Sequence, residues 1–367
     1  MSINIGIIGL AKSGKTTVFN ALTRGKAGTG TYTAESLTAH VGMAKVPEPR
    51  LKVLSDMLHP KKVVPAEVTY IDIGATVKSL VKDKIGGELL NRLSTVDALL
   101  NIVRAFKDES IPHPDGSLDV ERDISAMDLE LIFSDLAIIE RRLERVETSL
   151  KGAKPPERQT LLHEQQTLLK LKGELEKDTP VRDMKLTPEE TKAIAHFQLL
   201  TAKPMLIVVN IGEDQIPQIA SLEADLNSRY SRGGRRVMAL CGKLEMELTQ
   251  LDDAAAEEFR ATYGIKESGL DRIIKQSYEL LGLISFFSIA SGEVRAWTIP
   301  RGTTTLKAAG KIHTDMERGF IKAEVISFND LVKSGSLAEA RKKGLLRLEG
   351  KEHTVQDGDV ITFLFNV

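Results

Sequence analysis

The chain has 367 residues, of which 42% are hydrophobic and 28% charged, a composition typical of a folded protein with about two or three domains. No apolar run approaches the roughly 18 residues of a membrane span, and 50 Lys and Arg against 51 Asp and Glu indicate no general affinity for DNA. Cys241 is the only cysteine, which excludes an intrachain disulfide and a cysteine-based zinc site. The first predicted strand begins at the N-terminus and leaves no room for a signal peptide, so we expect a cytoplasmic protein.

A phosphate-loop motif occupies residues 9–17, where GLAKSGKTT matches the pattern G-x-x-x-x-G-K-[ST]. Apolar residues at 3–8 predict a buried strand that enters the motif, and residues 17–22 predict a helix that leaves it. Such a loop binds a triphosphate through its backbone N–H groups, with Lys15 at the β- and γ-phosphates and Thr16 at Mg²⁺. The candidate nucleotide-binding residues of the motif are Gly9, Lys12, Ser13, Gly14, Lys15, Thr16 and Thr17.

The next segments predict the switch regions of a G-protein-like domain. Residues 25–39 are rich in Gly and Thr without apolar periodicity, as expected of a switch I loop. Residues 68–73 predict a strand with Asp72 near its carboxyl end, where a Walker-B aspartate holds Mg²⁺. We therefore assign Lys15 and Asp72 as the catalytic candidates, with an ordinary strand-end aspartate as the alternative for Asp72.

Three further apolar segments, at residues 97–106, 205–210 and 236–241, predict strands. Continuous apolar strands separated by helical segments indicate a parallel sheet that is covered on both faces and binds ligands at its carboxyl edge. All of the candidate residues named above lie at such strand ends.

A helical hairpin is predicted between these strands. A break at residues 151–156 separates its first helix from a second, less regular helix at 161–175. The hairpin has a charged outer face that either is solvated or contacts a large partner. The first helix has apolar residues spaced alternately by three and four, as in a coiled-coil seam. These are Leu129, Ile132, Leu136, Ile139, Leu143, Val146 and Leu150.

A small α+β module is predicted from about residue 283 onward. Its predicted helices span residues 304–310 and 329–343. Arg341, Lys342 and Lys343 form its densest basic cluster, which is either a weak RNA-contact signal or a solvated face. Its predicted strands are residues 294–299, 320–326, 345–348 and 360–367.

The C-terminal sequence resembles the TGS domain of the YchF (Obg-like) ATPases. The matching segments are EVRAWTIPRG (293–302), AAGKIHTD (308–315), GFIKAE (319–324) and DGDVITFLFNV (357–367). Shorter stretches upstream, at 41–42, 46–51, 203–204 and 241–245, are similar to the same family. The resemblance implies an α/β fold and binding to the ribosome. Its implied parts are a P-loop NTPase G domain with a mostly parallel sheet (1–120 and 200–282), a coiled-coil insertion (121–199) and a β-grasp-like TGS domain (283–367).

The resemblance also implies a preference for ATP over GTP. Residues 210–213 read NIGE and resemble the N-x-x-E form of this family, whereas G proteins read the N1 and N2 donors of guanine with N-K-x-D. The resemblance assigns Asn210 and Ile211 to the base pocket, Glu213 to its rim and Gly242 to the adjoining loop. A helix N-cap is the alternative role for Asn210.

The chain departs from the family pattern near the phosphates. Residues 72–75 read DIGA in place of D-x-x-G, and the following stretch to Gly87 has few glycines. Lys12 and Ser13 replace the usual Asn-Val, and Ser36 replaces the switch I threonine. By this resemblance the Mg²⁺ ligands are Thr16, Ser36 and Asp72. These departures predict retained nucleotide binding and leave the hydrolysis step open.

The leading hypothesis is a monomeric nucleotide-dependent switch. It binds ATP, and also GTP, with Mg²⁺, hydrolyses it slowly and engages the ribosome through its TGS domain and helical arm. One alternative is a scaffold that binds nucleotide without turnover, and another is a P-loop kinase of small molecules. For Cys241 we favour a buried core position over a redox role.

Overall fold

A computed structural model of the chain describes residues 3–25, 39–73, 90–290 and 292–366. The described chain forms two compact units. We call them the N-terminal unit (residues 3–43 and 69–273) and the C-terminal unit (residues 44–68 and 274–366). Among the described residues, no helix combines the length and apolar character needed to cross a lipid bilayer.

Several sequence predictions fall elsewhere. The predicted switch I loop between residues 25 and 39, with the candidate metal ligand Ser36, lies outside the described residues, as does the predicted switch II stretch from Gly74 to Gly87. The predicted division of the chain into three domains stays a prediction.

The strands alternate with helices through most of the N-terminal unit. The described strands are β1 (Ile3–Ile8), β2 (Ala39–Lys45), β3 (Lys62–Val64), β4 (Glu67–Ile73), β5 (Ala98–Arg104), β6 (Met205–Asn210), β7 (Arg235–Leu240), β8 (Leu283–Ala290), β9 (Glu293–Pro300), β10 (Phe320–Ser327), β11 (Arg347–Glu349) and β12 (Asp359–Phe365). The described α-helices are α1 (Lys15–Thr23), α2 (Pro49–Leu58), α3 (Val120–Leu150), α4 (Pro155–Leu175), α5 (Pro188–Ile194), α6 (Ile219–Tyr230), α7 (Gly242–Leu248), α8 (Asp253–Thr262), α9 (Gly269–Leu280), α10 (Thr305–Ile312), α11 (Thr314–Arg318), α12 (Phe328–Ser334) and α13 (Leu337–Lys342). Short 3₁₀ helices include Val181–Asp183, Leu200–Ala202 and Glu213–Gln218.

The six-stranded sheet of the first unit has the order β2-β4-β1-β5-β6-β7. The pairs β1–β5, β5–β6 and β6–β7 are all parallel, which confirms the predicted mostly parallel α/β sheet. Every residue of β5 and β6 is buried, because helices cover both faces of these central strands. The carboxyl ends of β1, β5 and β6 therefore meet along one edge, as the sequence predicted.

The helical hairpin consists of α3 and α4, and its buried seam differs from the predicted one. Ile132, Ile139 and Val146 are buried as expected, but Leu129 is 36% exposed. The reason is that the first turns of α3 pack on the sheet through Ile124, Met127 and Leu131, which rotates Leu129 toward solvent.

The base of the hairpin is fastened by buried polar groups. The Asp135 carboxylate on α3 accepts hydrogen bonds from the backbone N–H groups of Leu200 (2.9 Å) and Thr201 (2.7 Å) and from the Thr201 hydroxyl (2.6 Å). Burial nevertheless raises the pKa of Asp135 to about 6. Nearby, the Arg235 guanidinium lies 3.0 Å from the Asp128 carboxylate.

The sheet of the C-terminal unit has the order β11-β10-β12-β8-β9-β3. The pairs β10–β11, β10–β12 and β8–β9 are antiparallel, whereas β12–β8 and β3–β9 are parallel. Helices α10 and α11 complete a core that includes Phe286, Ala309, Ala323 and Ile361. The strand β3 joins this sheet although its residues precede the second half of the N-terminal unit in the chain, and the sequence analysis did not predict it.

The predicted helix at residues 329–343 is two helices, so this prediction was wrong. Gly335 ends α12 with φ 76°, a left-handed conformation that glycine adopts without steric cost. Ser336 then begins α13, because its side chain accepts a hydrogen bond from the Glu339 backbone N–H at 3.2 Å.

One arginine ties residues 44–68 to the rest of the C-terminal unit. Arg50 donates to the Glu48 carboxylate at 2.7 Å through Nε and at 2.7 Å through Nη2. It also donates to the Asp357 carboxylate at 2.9 and 3.2 Å. Asp357 in turn accepts from the Ser285 backbone N–H at 2.9 Å. We call Arg50, Glu48 and Asp357 the Arg50 clamp.

Candidate functional site

The phosphate loop follows β1 and ends where α1 begins at Lys15. Gly9 and Gly14 have φ of 151° and 91°, and neither position has room for a side chain. A Cβ at residue 9 would lie 2.4 Å from the Ile102 carbonyl oxygen, and one at residue 14 would lie 2.3 Å from Asn210 Nδ2. These two glycines are therefore required by close packing as well as by backbone conformation.

Lys15 is folded back onto the loop. Its Nζ donates to the carbonyl oxygens of Gly9 at 3.0 Å and Leu10 at 2.9 Å, and the residue is 2% exposed. Burial lowers the pKa of Lys15 to about 8, against the opposing effect of the Asp72 carboxylate. A lysine held in this way is a buried cation that neutral groups compensate only in part, as an anion-binding lysine requires.

Thr16 and Asp72 form a pair across 56 residues of chain. The Thr16 hydroxyl donates to Asp72 Oδ2 at 2.9 Å, and Asp72 is fully buried. Burial raises the pKa of the Asp72 carboxyl, and the Thr16 hydrogen bond and the Lys15 charge oppose this shift. Asp72 Oδ1 has no hydrogen-bond partner within the described residues.

The Thr16 and Asp72 oxygens fit a magnesium ion. Both are hard oxygen donors, and the unpartnered Asp72 Oδ1 is a buried acceptor that a cation or its water would satisfy. The described residues contain no group of three or more His, Cys, Asp or Glu that could hold a metal by themselves. This agrees with the habit of Mg²⁺, which takes one or two protein ligands and completes its shell with water and phosphate oxygens.

Asn210 at the end of β6 braces the loop. Its Nδ2 donates to the Ser13 carbonyl at 3.0 Å, and its Oδ1 accepts from the Gly242 backbone N–H at 2.9 Å. The residue is 4% exposed, so both halves of its amide are engaged in holding two loops together. It does not act as a helix cap, since the following 3₁₀ helix begins after Gly212, whose N–H donates to Gln215 Oε1 at 2.9 Å.

The other predicted base-pocket residues have different surroundings. The Ile211 side chain is 1% exposed and packs in the apolar core of the N-terminal unit. Glu213 pairs with Lys243 at 3.0 Å on the surface. Thr17 lies in the first turn of α1. Cys241 is 4% exposed within the same core, and burial raises the pKa of its thiol, which agrees with the core role favoured from the sequence.

Sequence reasoning missed a loop that lies beside the phosphate loop. Arg104, which ends β5, donates to the carbonyl oxygens of Phe106 at 3.2 Å and Ile111 at 2.7 Å and stacks on the Phe106 ring at 4.5 Å. The loop also carries His113, whose Nε2 lies 2.9 Å from the Asp123 carboxylate. A basic residue at the carboxyl end of a buried strand was the available signal for this arrangement.

Polar groups in this region remain without partners. A small cleft between the two loops is lined by Leu10, Ala11, Ser13, Asn101, Ile102, Val103, Arg104, His113 and Asp123. Within the described part of the chain, the Ser13 hydroxyl and the Asn101 amide make no hydrogen bond although both are buried. Such groups concentrate where a protein binds water or ligand.

Comparison with known proteins gives consistent relatives. A ribosome-binding ATPase YchF of Bacillus subtilis is 40% identical over 370 residues, and one of Escherichia coli O157:H7 is 35% identical over 368 residues. Both matches cover 100% of this chain and of the relative. The solved structure of the Schizosaccharomyces pombe YchF GTPase superimposes with a TM-score of 0.83 at 29% identity, covering 99% of this chain and 98% of that one.

The C-terminal residues also match a family model. It is described as YchF-GTPase_C, protein of unknown function (DUF933), and it covers residues 283–366. The full-length match at 40% identity, together with this model, establishes the family. The chain belongs to the YchF family.

Proposed function

We propose that this protein is a nucleotide-dependent switch ATPase that works with Mg²⁺ and associates with the ribosome. The observation that carries the proposal is the hydrogen bond from Thr16 Oγ1 to Asp72 Oδ2 at 2.9 Å, beside the buried ammonium of Lys15. Three residues with the chemistry of phosphate and metal binding thereby meet at the carboxyl edge of a parallel sheet.

The proposed reaction needs positioning and charge stabilisation more than covalent chemistry. Water attacks the γ-phosphorus, the bond to the β–γ bridging oxygen breaks, and ADP and phosphate leave. Lys15 donates to the β- and γ-phosphate oxygens after leaving the Gly9 and Leu10 carbonyls. Thr16 and Asp72 would hold Mg²⁺, which neutralises charge on the phosphates when bound.

The base preference follows from the state of Glu213. Its carboxylate already pairs with Lys243 at 3.0 Å, so it is poorly placed to accept the two donors of guanine. Asn210 is committed to bracing the phosphate loop. We therefore favour ATP over GTP, with Gly242 and the Glu213–Lys243 pair near the base.

The partner is inferred from the relatives and from the charge of the C-terminal unit. The relatives of Bacillus subtilis and Escherichia coli are named ribosome-binding. In the C-terminal unit the basic cluster of residues 341–343 lies at the end of α13. We assign ribosome contact to the TGS domain (283–367) and the helical insertion (121–199), with the G domain in 1–120 and 200–282, in a monomeric cytoplasmic protein.

The first experiment measures Mg²⁺-dependent affinity for ATP and GTP and phosphate release in the same samples. Wild type is compared with Lys15→Ala and with Lys192→Ala, a control that removes an exposed lysine of α5. We expect ATP preference, slow phosphate release, loss of release in Lys15→Ala and no change in the control. Absence of nucleotide binding at millimolar ATP would overturn the proposal.

A second candidate function is supported by one feature of the sequence. Residues 72–75 read DIGA, so the glycine that senses the γ-phosphate in D-x-x-G is displaced. A scaffold that binds ATP without turnover predicts tight Mg²⁺-dependent binding, ATP-dependent cosedimentation with ribosomes and phosphate release equal to that of Lys15→Ala. Turnover that is lost in Lys15→Ala would exclude it.

A further inference from the structure

We propose that Lys12 is a second cation of the active site, which stabilises the charge that develops on the phosphates during hydrolysis. This inference rests on the proposed function and deepens it. It is carried by the backbone conformation of Lys12, by the freedom of its side chain and by its position between the two glycines of the phosphate loop.

The backbone of Lys12 is strained without a structural reason that explains it. Its φ is 63°, in the left-handed region that L-residues with a full side chain avoid. The other described non-glycine residues with positive φ are Arg24, His59, Asp178 and Gln198. Each of these lies at or just after the C-terminus of a helix, where a left-handed residue completes the cap. Lys12 ends no helix, and unexplained strain of this kind is concentrated at functional sites.

The side chain of Lys12 is available for a ligand. The residue is exposed, and its ammonium makes no ion pair in the described part of the chain. Its one hydrogen bond is a long one, 3.4 Å to the Pro112 carbonyl oxygen. Lys15, by contrast, is buried and held by two loop carbonyls at 3.0 and 2.9 Å. The loop thus has one fixed cation and one that can move.

The chemistry assigns these cations different tasks. As water attacks the γ-phosphorus, the electron pair of the breaking bond moves to the bridging oxygen of ADP, and negative charge also spreads over the γ-oxygens. Lys12 donates a hydrogen bond to this developing charge and stays protonated throughout, so no proton is transferred to or from it. An arginine finger has the same effect at about 10³- to 10⁵-fold in rate, and a mobile, exposed lysine should give less, about 10- to 100-fold.

A purely structural reading gives Lys12 the task of holding the 105–119 loop through Pro112. The two readings separate in Lys12→Asn, because asparagine adopts the left-handed region more readily than lysine. If Lys12 acts on the phosphates, this variant keeps or gains thermal stability and loses rate. If Lys12 is a tether, the variant loses thermal stability, and any loss of rate follows from that.

The test uses the full chain as wild type, Lys12→Asn and Lys12→Arg, with kcat, KM for ATP, affinity for ADP with and without aluminium fluoride, and Tm as readouts. For Lys12→Asn we expect an unchanged or higher Tm, ADP affinity within about twofold and kcat lower by about 10- to 100-fold. The gain in ADP affinity that aluminium fluoride produces should shrink by a similar factor. Lys12→Arg should restore most of both losses, since it keeps the charge.

The outcomes distinguish this inference from the proposed function. Wild-type turnover with an unchanged kcat in Lys12→Asn rejects the role of Lys12 and leaves the ATPase in place. A lower Tm without recovery in Lys12→Arg also rejects it in favour of the tether. If wild type shows no turnover, the ATPase fails, and the ratio of ATP to ADP affinity decides on Lys12. A ratio that falls in Lys12→Asn supports the contact with the γ-phosphate, and an unchanged ratio rejects it.

Discussion

The phosphate loop and the Arg50 clamp each place a cation beside carboxylates, but they leave those groups in opposite states. In the clamp, Arg50 makes hydrogen bonds of 2.7, 2.7, 2.9 and 3.2 Å to two carboxylates, and these partners raise its pKa. At the loop, burial lowers the pKa of Lys15 to about 8, and Asp72 Oδ1 has no described partner. Polar groups that satisfy one another hold a fold together, whereas buried groups left short of partners are prepared for a ligand.

The largest effect that this comparison predicts is on catalysis. Replacing Lys15 by Ala should lower phosphate release by at least about 100-fold, because the main donor to the β- and γ-phosphates is lost. The free energy of unfolding should stay equal or rise, since the variant no longer buries a poorly compensated cation. Chemical denaturation in the absence of nucleotide checks the second part. A large loss of stability would show that Lys15 serves the fold, as Arg50 does.

The Arg50 clamp should show the reverse behaviour. Arg50→Ala leaves Glu48 and Asp357 without their cation, and we expect it to lower the free energy of unfolding of the C-terminal unit by about 2 to 3 kcal/mol. Trp297 in β9 is the only tryptophan, so its fluorescence during denaturation reports on this unit. ATP affinity should not change.

Two further variants control the Arg50 measurement. Arg318→Ala removes an arginine whose side chain is 84% exposed and should have no measurable effect. Arg50→Lys should recover only part of the stability, because an ammonium cannot make paired hydrogen bonds to two carboxylates. Equal stability of Arg50→Ala and wild type would contradict a structural role for the clamp.

Asp72 offers a finer test, because it is buried with one oxygen unpartnered. Asp72→Asn keeps an acceptor for Thr16 and removes a buried charge, so the free energy of unfolding of the nucleotide-free protein should rise by about 1 to 2 kcal/mol. The Mg²⁺ dependence of ATP binding should disappear in the same variant. Titrations of ATP with Mg²⁺ and with EDTA measure this. Retained Mg²⁺ dependence would remove Asp72 from the proposed metal site.

The smallest effect concerns pH and the base of the helical hairpin. Burial raises the pKa of Asp135 to about 6 from 3.8, so the folded protein binds this proton more tightly than the unfolded chain does. Its contribution to stability is therefore complete below about pH 4 and is lost as the pH rises through 6. Relative to Asp135→Asn, wild type should gain about 1 kcal/mol of unfolding free energy between pH 7 and pH 5. A difference that is the same at both pH values would show that the pKa of Asp135 is not raised.

Local features of the molecule were readable from the sequence. The phosphate loop was identified because Gly9, Gly14, Lys15 and Thr16 lie within one short segment whose spacing itself sets the loop conformation. The buried strands β5 and β6 were predicted from continuous apolar runs, since burial on both faces needs no partner to be specified. The C-terminal strands were found in the same way, apart from β8.

Features that depend on packing between distant segments were missed or misjudged. Leu129 fits the coiled-coil spacing, but the sheet beneath α3 decides which face of its first turns is buried. Gly335 was read as part of a helix, because a single glycine is tolerated there until its φ is known. The short strand β3 has too few residues to show a period and joins the C-terminal sheet by pairing with β9.

The sequence by itself determined the chemistry of the nucleotide site: a phosphate loop, a strand-end aspartate and an asparagine at a third strand end. Only the tertiary structure decided what these groups do to one another. It gives Asn210 the task of bracing Ser13 from 197 residues away, joins Arg50 to Asp357 across 307 residues, and leaves Lys12 as the mobile cation of the loop. The physical reason is that residue type and spacing specify donors, charges and local backbone conformation, whereas burial and hydrogen-bond partners are set by long-range strand pairing and helix packing.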